Sequence, residues 1–162
     1  MDKFPVAILT ISDRGSRGDR EDISGPAIQN IITGIGGQVL RSNIISDDLE
    51  GILQQLKDWA DSDEFALILT TGGTGISARD NTPEATLLAV DKVVPGLSEV
   101  MRQASKSDSP HISLSRQVVG IRGRCLIINL PGSPRGATES LETILSVIPH
   151  AIDLLYLGQT EH

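Results

Sequence analysis

The chain has 162 residues, of which 39% are hydrophobic and 22% charged, and its mean hydropathy is −0.01. These values predict one soluble globular domain spanning residues 1–162 and argue against a disordered chain. The formal net charge is −7, with only one Trp, one Tyr and two Phe, so general nucleic-acid binding is not expected, because it needs a basic surface and stacking aromatic side chains.

The sequence also bears on compartment. No continuous apolar run approaches the roughly 20 residues that span a bilayer, so no membrane segment is expected. The first residues lead straight into a strand without a signal-peptide pattern, which predicts a cytoplasmic protein. The single cysteine, Cys125, lies in an apolar run, where a small buried hydrophobe is expected, so neither a disulfide nor a zinc site is predicted.

Strand-like and helix-like segments alternate along the chain. The predicted order is a strand at Val6–Ile11, a helix beginning at Ser24-Gly25-Pro26, a strand near Val39–Ile45, a helix from Leu49, a strand at Ala66–Leu69, a helix capped by Thr82, a helix near Gly96–Ala104, a β-rich stretch from Leu114 to Leu130 that turns back near Gly120 and Gly123, and final helices before and after Pro149. The polar stretch 105–113 is expected to be a loop.

This alternation predicts an α/β fold, a three-layer α/β/α domain with a mostly parallel sheet and right-handed crossovers. Such sheets bind ligands beyond the carboxyl ends of their strands. Four polar or Gly/Pro-rich loops are expected there: Ser12 to Ser24, Ser46-Asp47-Asp48, the glycine-rich run from Thr70 to Gly75, and Pro131-Gly132-Ser133-Pro134.

The glycine-rich run Thr70-Thr71-Gly72-Gly73-Thr74-Gly75 follows a strand and precedes a helix. Glycines allow successive N–H groups to point into one concavity, and this arrangement binds phosphate. No lysine follows, so a Walker P-loop is excluded, but a turn that only redirects the chain stays possible. Asp80 close by favours a divalent cation such as Mg²⁺ between the acid and a bound phosphate.

Several polar residues also have ordinary structural explanations. Asp47 can be a helix N-cap, with Glu50 as its capping-box partner. Asp80 lies two residues before the predicted cap Thr82 and is not needed for capping. Asp13 and Arg14 can form a loop ion pair, and a lone arginine such as Arg116 is usually a solvated surface charge.

Taken together, these motifs resemble the molybdopterin adenylyltransferases of the MogA/MoaB family, which the G domain of gephyrin also represents. The matching segments follow the family's order over essentially the whole chain: Leu9 to Arg14, Asp22 to Pro26, Thr70 to Gly75, Arg79 to Ala85, Leu114 to Arg116, and Asn129 to Pro134. The resemblance implies a MogA-like fold and a homotrimer that joins molybdopterin to AMP from Mg-ATP and prepares it for metal insertion.

The resemblance also implies roles for individual residues. Asp47 and Asp80 match the two catalytic acids and would hold Mg²⁺. The other matching positions are implied to bind substrate: Ser12, Asp13, Gly72, Gly73, Thr74, Gly75, Ser115, Arg116, Pro131, Gly132 and Ser133. The chain departs from the common family pattern at Ser46, where proline is frequent, and at Ser133, where asparagine is frequent.

Two other functions fit the same resemblance. The first is a carrier or scaffold that binds molybdopterin without adenylylating it, although two acids near a phosphorylated ligand would not help a pure binder. The second is molybdate insertion, which normally comes with further domains. An adenylyltransferase would pass its product to a molybdenum-insertion protein.

Overall fold

The computed structural model describes residues 2–104 and 110–158. Its strands are β1 Phe4–Ile11, β2 Gly37–Ile45, β3 Leu67–Thr71, β4 Lys92–Val93, β5 Val119–Arg122 and β6 Cys125–Leu130. Its α-helices are α1 Asp13–Ser16, α2 Ser24–Thr33, α3 Leu49–Asp61, α4 Thr82–Ala89, α5 Pro95–Ala104, α6 Pro134–Ile144 and α7 Ile148–Leu157, with 3-10 helices at Pro110–Leu114 and Leu145–Val147.

The six strands form one sheet in the order β2-β1-β3-β6-β5-β4. The first four are parallel, and β5 and β4 continue the sheet in antiparallel pairing. The predicted α/β fold with a mostly parallel sheet is therefore confirmed. The parallel strands bring their carboxyl ends, and the loops that follow them, to one edge of the sheet.

Both faces of the sheet are covered. Val6 and Ile8 of β1 contribute to a core under α2, α6 and α7, whereas Ala7 and Leu9 contribute to a second core under α3 and α4. A strand buried on both faces needs apolar side chains at every position, which is why β1 reads as a continuous apolar run.

The predicted β-rich stretch is shorter than expected. Leu114 belongs to a 3-10 helix, and the β-hairpin begins only at Val119. Gly123, with φ +59°, makes the turn, while Gly120 lies inside β5 and pairs with Ile127. Part of the predicted loop, residues 105–109, lies outside the described residues.

The C-terminal helices form an apolar stretch that the sequence expectation did not anticipate. Among the described residues, Pro134–Leu157 is 24 residues long and contains an 18-residue window with a mean hydropathy of 1.3, enough to cross a membrane by length and composition alone. A 3-10 turn interrupts it, and one face packs in the core through Leu141, Ile144 and Ile148. The expected lack of a membrane segment stays a prediction.

A buried amide ties the strand ends to α4. Asn129 of β6 is fully buried, and its Nδ2 donates to the hydroxyls of Thr70 (3.0 Å) and Thr86 (2.9 Å). Its Oδ1 accepts from the N–H of Val118 at 3.1 Å. Buried polar groups hold their places when every hydrogen bond is made, so this amide fixes β3, β6 and α4 relative to one another.

We expect Asn129→Ala to lower the free energy of unfolding by about 2–3 kcal/mol, because it leaves buried polar groups without partners. Asn30→Ala, at an exposed position of α2, is the matched control and should change it by less than about 0.5 kcal/mol. Urea denaturation measures both values. Equal losses in the two variants would contradict a special role for the buried amide.

Candidate active site

A cleft of about 400 Å³ lies at the carboxyl edge of the sheet. Loops after β1, β2, β3 and β6 line it, as the sheet topology requires. Eight of the residues implied by the resemblance lie in its lining: Ser12, Asp13, Asp47, Gly72, Gly73, Asp80, Gly132 and Ser133.

The glycine loop adopts a backbone that only glycine tolerates. Gly72 and Gly73 have φ of +102° and +68°. A Cβ on Gly72 would overlap the carbonyl oxygen of Ile11, and one on Gly73 would overlap the hydroxyl of Thr82. Substitution at either glycine would therefore force the loop away from the end of β1.

The loop is also fastened to the start of α4. Thr82 is buried, and its hydroxyl donates to the carbonyl of Gly72 at 2.9 Å, while its N–H donates to the carbonyl of Gly73 at 3.1 Å. Thr82 is the first residue of α4 and not its cap, so the predicted capping role is wrong. Asn81 holds the cap position without a side-chain capping bond, and its Nδ2 donates instead to the carbonyl of Asp47 at 3.2 Å.

The N–H groups of Gly73, Thr74 and Gly75 have no hydrogen-bond partner within the described residues. Such groups need a partner from outside the chain. Consecutive free N–H groups beside the cleft are the donors that an anion uses.

Asp13 and Asp47 hold two neighbouring loops together. The N–H of Asp13 donates to Oδ2 of Asp47, and the N–H of Asp47 donates to Oδ1 of Asp13, each at 3.1 Å. Arg79 donates from Nε and Nη2 to the Asp13 carboxylate at 2.8–3.1 Å. Asp13 thus pairs with Arg79 and not, as predicted, with Arg14.

These contacts separate the pKa values of the two acids. Hydrogen bonds from Arg79 hold the pKa of Asp13 below its ordinary value. Burial raises the pKa of Asp47, and the nearby Asp13 charge raises it further. Because Asp13 is paired with Arg79 and Asp47 has no cationic partner within the described residues, a cation in the cleft would stabilise the ionised form of Asp47 most.

Capping of α3 falls to a different acid from the one predicted. Asp48 is the N-cap, with an extended backbone, and its Oδ2 accepts from the N–H of Gly51 at 2.9 Å. Asp47 makes no such bond, and Glu50 lies in the first turn of α3. The capping-box explanation of Asp47 is therefore wrong. Its carboxylate lines the cleft and accepts from the N–H of Asp13.

Asp80 also lines the cleft, and its carboxylate lies beside Gly75 of the glycine loop. Its Oδ2 accepts from the N–H of Ser77 at 2.9 Å, and this oxygen would lie only 2.8 Å from a Cβ on Gly75. The described residues contain no cluster of three or more acidic, His or Cys side chains that would hold a metal ion unaided. Two carboxylates with phosphate oxygens suit Mg²⁺, so Asp47 and Asp80 fit that ion.

A second cleft, of about 430 Å³, adjoins the first. Thr74, Gly75, Ser115, Pro131 and Ser133 line it, together with His111, Ile112 and Leu114 of the 3-10 helix. Ser133 lines both clefts, and its Oγ accepts from the N–H of Gly136 as the N-cap of α6. The glycine loop therefore lines both clefts: Gly72 and Gly73 line the first, and Thr74 and Gly75 line the second.

The implied site residue Arg116 lines neither cleft. Its guanidinium pairs with the carboxylate of Glu84 and donates to the carbonyls of Gly75 (2.8 Å) and Asp80 (3.0 Å). The pairing lowers the pKa of Glu84. Nε, Nη1 and Nη2 of Arg116 each donate within the protein, and two of these bonds hold the glycine loop and Asp80.

Three cleft-lining residues, Arg14, Arg20 and Glu21, were not among the predicted site residues. All three are exposed and follow β1 in the longest of the rim loops. Their position after β1 could have identified them from the sequence, because loops at the carboxyl end of a parallel strand line the ligand cleft.

The free energy of unfolding can test whether Asp48, and not Asp47, caps α3. Asp48→Ala should lower the free energy of unfolding by about 1 kcal/mol at neutral pH, because α3 loses its cap. Asp47→Asn should instead raise it there, because the folded protein holds Asp47 in a site that raises its pKa and so disfavours the charge.

The stability gained by Asp47→Asn depends on pH, because the pKa of Asp47 differs between the folded and unfolded states. A raised folded pKa makes the ionised carboxylate unfavourable to the fold, so the gain from Asn is largest above that pKa and disappears as pH falls and wild-type Asp47 becomes neutral. Urea denaturation across pH 3–8 measures the difference in free energy of unfolding between Asp47→Asn and the wild type. Asp47→Asn destabilised at every pH, as expected for a lost cap, would contradict the assignment.

Comparison with known proteins agrees with this geometry. Residues 7–150 match the sequence model of a family described as a probable molybdopterin binding domain. The molybdopterin adenylyltransferase of Helicobacter pylori (strain J99) is 40% identical over 157 residues, covering 96% of this chain and 89% of that protein. That of Escherichia coli K12 is 39% identical over 158 residues, covering 94% and 81%.

A solved structure gives the same result for the fold. The molybdopterin biosynthesis enzyme MoaB of Thermus thermophilus superposes with a TM-score of 0.89 at 49% identity, covering 94% of this chain and 96% of that one. The fold, the cleft and the sequence matches agree. The chain belongs to the molybdopterin adenylyltransferase family of the MogA/MoaB type.

Proposed function

We propose that this chain transfers AMP from Mg-ATP to molybdopterin and releases pyrophosphate. The observation that carries the proposal is a glycine loop with free N–H groups flanked by two carboxylates, Asp47 and Asp80, at the edge where two clefts meet. The names of its relatives support the substrate and the reaction class.

The reaction requires no covalent intermediate on the protein. A phosphate oxygen of molybdopterin attacks the α-phosphorus of ATP, the bond from that phosphorus to the bridging oxygen breaks, and pyrophosphate leaves with the electron pair. Displacement of this kind depends on alignment and charge neutralisation. The two adjoining clefts can hold the two substrates with their phosphates meeting at the shared loop.

The residues then divide the work. The N–H groups of Gly73, Thr74 and Gly75 donate to phosphate oxygens, and Asp47 and Asp80 would hold Mg²⁺. When bound, Mg²⁺ supplies positive charge against the charge of the phosphates. Arg116 keeps the loop and Asp80 in register through its bonds to their carbonyls. Ser115, Pro131 and Ser133 border the second cleft and select the shape of its occupant.

A carrier that only binds molybdopterin is the weaker proposal. Burial and the Asp13 charge raise the pKa of Asp47, so an ionised Asp47 is unfavourable to the fold, and a pure binder of a phosphorylated ligand gains nothing from it. An enzyme that uses the ionised Asp47 to bind a cation does gain from it. Such an enzyme would act in the cytoplasm and pass its product to a protein that inserts molybdenum.

We expect Asp80→Asn to bind molybdopterin within about twofold of wild type while losing at least about 100-fold in adenylyl transfer, because the amide keeps the acceptor for Ser77 but not the charge. Single-turnover formation of adenylyl-molybdopterin, followed by mass spectrometry, measures the rate. Asp58→Asn on the exposed face of α3 is the control. Wild-type rates for Asp80→Asn at limiting Mg²⁺ would contradict the metal role.

We also propose a homotrimer. The C-terminal helix α7 buries Ile152 but exposes Leu154 (50%) and Leu157 (65%), and exposed apolar groups on one helix favour association. Light scattering at micromolar concentration should give about three times the 17.3 kDa chain mass. A mass near one chain that does not rise with concentration would contradict the trimer.

A further inference from the structure

Three arginines lie between β1 and α2 and differ in their surroundings. Arg17 donates from Nε to Asp19 at 3.1 Å on the surface, and it does not line the cleft. Arg14 and Arg20 do line the cleft. Within residues 2–104 and 110–158, neither has an acidic partner or a side-chain hydrogen bond.

The acids of this segment do not pair with these two cations within the described residues, and Glu21, which also lines the cleft, forms no ion pair there. Asp13 is paired with Arg79. Asp22 accepts from the hydroxyl of Thr10 (2.8 Å) and from the N–H of Gly25 (3.0 Å). The arginines therefore keep their full donor capacity in a protein whose net charge is −7.

A guanidinium group binds phosphate oxygens through two parallel N–H donors, and such charge-assisted hydrogen bonds are among the stronger ones in proteins. Arg116 already donates to Glu84, Gly75 and Asp80, and it lines neither cleft. The cleft nevertheless contains the free N–H group of Gly73 and the two carboxylates suited to Mg²⁺. In the described part of the chain, no side chain supplies an anionic partner for Arg14 or Arg20.

We propose that Arg14 and Arg20 are the side chains that bind a substrate phosphate group in this cleft. The inference rests on the proposed function, and it names the cations that hold the phosphorylated ligand. The phosphate can belong to ATP or to molybdopterin, and the two sources are separated by measuring each ligand alone.

Arg14→Ala and Arg20→Ala test the proposal, with Arg17→Ala as the matched control from the same loop. All three side chains are exposed, so the thermal midpoint should change little in each variant. Calorimetry with Mg²⁺ and α,β-methylene ATP, whose α–β link cannot be cleaved by adenylyl transfer, measures nucleotide binding. Anaerobic titration with molybdopterin measures pterin binding.

For one of the two ligands, Arg14→Ala and Arg20→Ala should each raise Kd about tenfold, and Arg17→Ala should leave it within about twofold. The wild-type Kd for that ligand should also rise with added salt, and more steeply than that of the double variant, because exposed charge pairs are screened. Arg14→Lys should recover part of the affinity.

Unchanged Kd values for both ligands in both arginine variants would overturn the inference, as would an equal loss in Arg17→Ala, which would indicate only a general effect of charge. Failure of the proposed function can be distinguished from failure of the arginine inference. If the wild type binds the ligands but forms no adenylyl-molybdopterin, the transferase proposal is wrong and the arginine result still stands. If it binds neither ligand, both are overturned.

Discussion

The site depends on a close approach of backbone to backbone at the end of β3. Gly72 lies against the carbonyl of Ile11 with no room for a Cβ, and a Cβ on Gly132 would come within 3.2 Å of the Cα of Gly72. The contact between the ends of β1 and β3 therefore requires a residue without a side chain at Gly72, and a side chain at Gly132 would crowd the end of β6 against it. After this contact Gly72 and Gly73 adopt positive φ angles, and Gly73 lies beside Asp47 and Thr82. Three N–H groups of the loop have no partner in the described part of the chain.

Electrostatics explains how an acidic chain can hold phosphates at that loop. Two ion pairs, Asp13 with Arg79 and Glu84 with Arg116, join segments distant in sequence and neutralise acids near the loop. Within the described residues, neither Asp47 nor Asp80 forms an ion pair, and burial together with the Asp13 charge raises the pKa of Asp47. Keeping a charge that the fold disfavours is characteristic of a functional site, where stability is given up for chemistry.

Much of the architecture could be predicted from local pattern. The apolar run of β1 and the helical spacing in α3 reflect burial, which depends on residue type, and the strand–helix alternation gave the parallel sheet. The rule that ligands bind at the carboxyl ends of strands then placed Asp47, Asp80 and the glycine loop at one cleft. The two-residue strand β4 was missed because Lys92 and Val93 carry no periodic pattern.

The finer contacts could not be predicted, because they depend on backbone angles and long-range pairing. Asp47 and Asp48 are adjacent acids before the same helix, and only the extended backbone of Asp48 decides which one caps it. Arg79 reaches Asp13 across 66 positions and Arg116 reaches Glu84 across 32. No motif spacing encodes such partners, so the contacts of Arg116 with Glu84 and with the carbonyls of Gly75 and Asp80 could not be predicted, and its implied role in binding substrate stays a prediction.

The most direct measurement of the central claim is pyrophosphate release from Mg-ATP by the purified protein, with and without molybdopterin. The proposed function predicts release only when molybdopterin is present, in amounts equal to the adenylyl-molybdopterin formed. Tight binding of molybdopterin with no pyrophosphate would contradict it and would indicate a carrier. Release from ATP without the pterin would contradict it as well, since water and not the pterin phosphate would then be the acceptor.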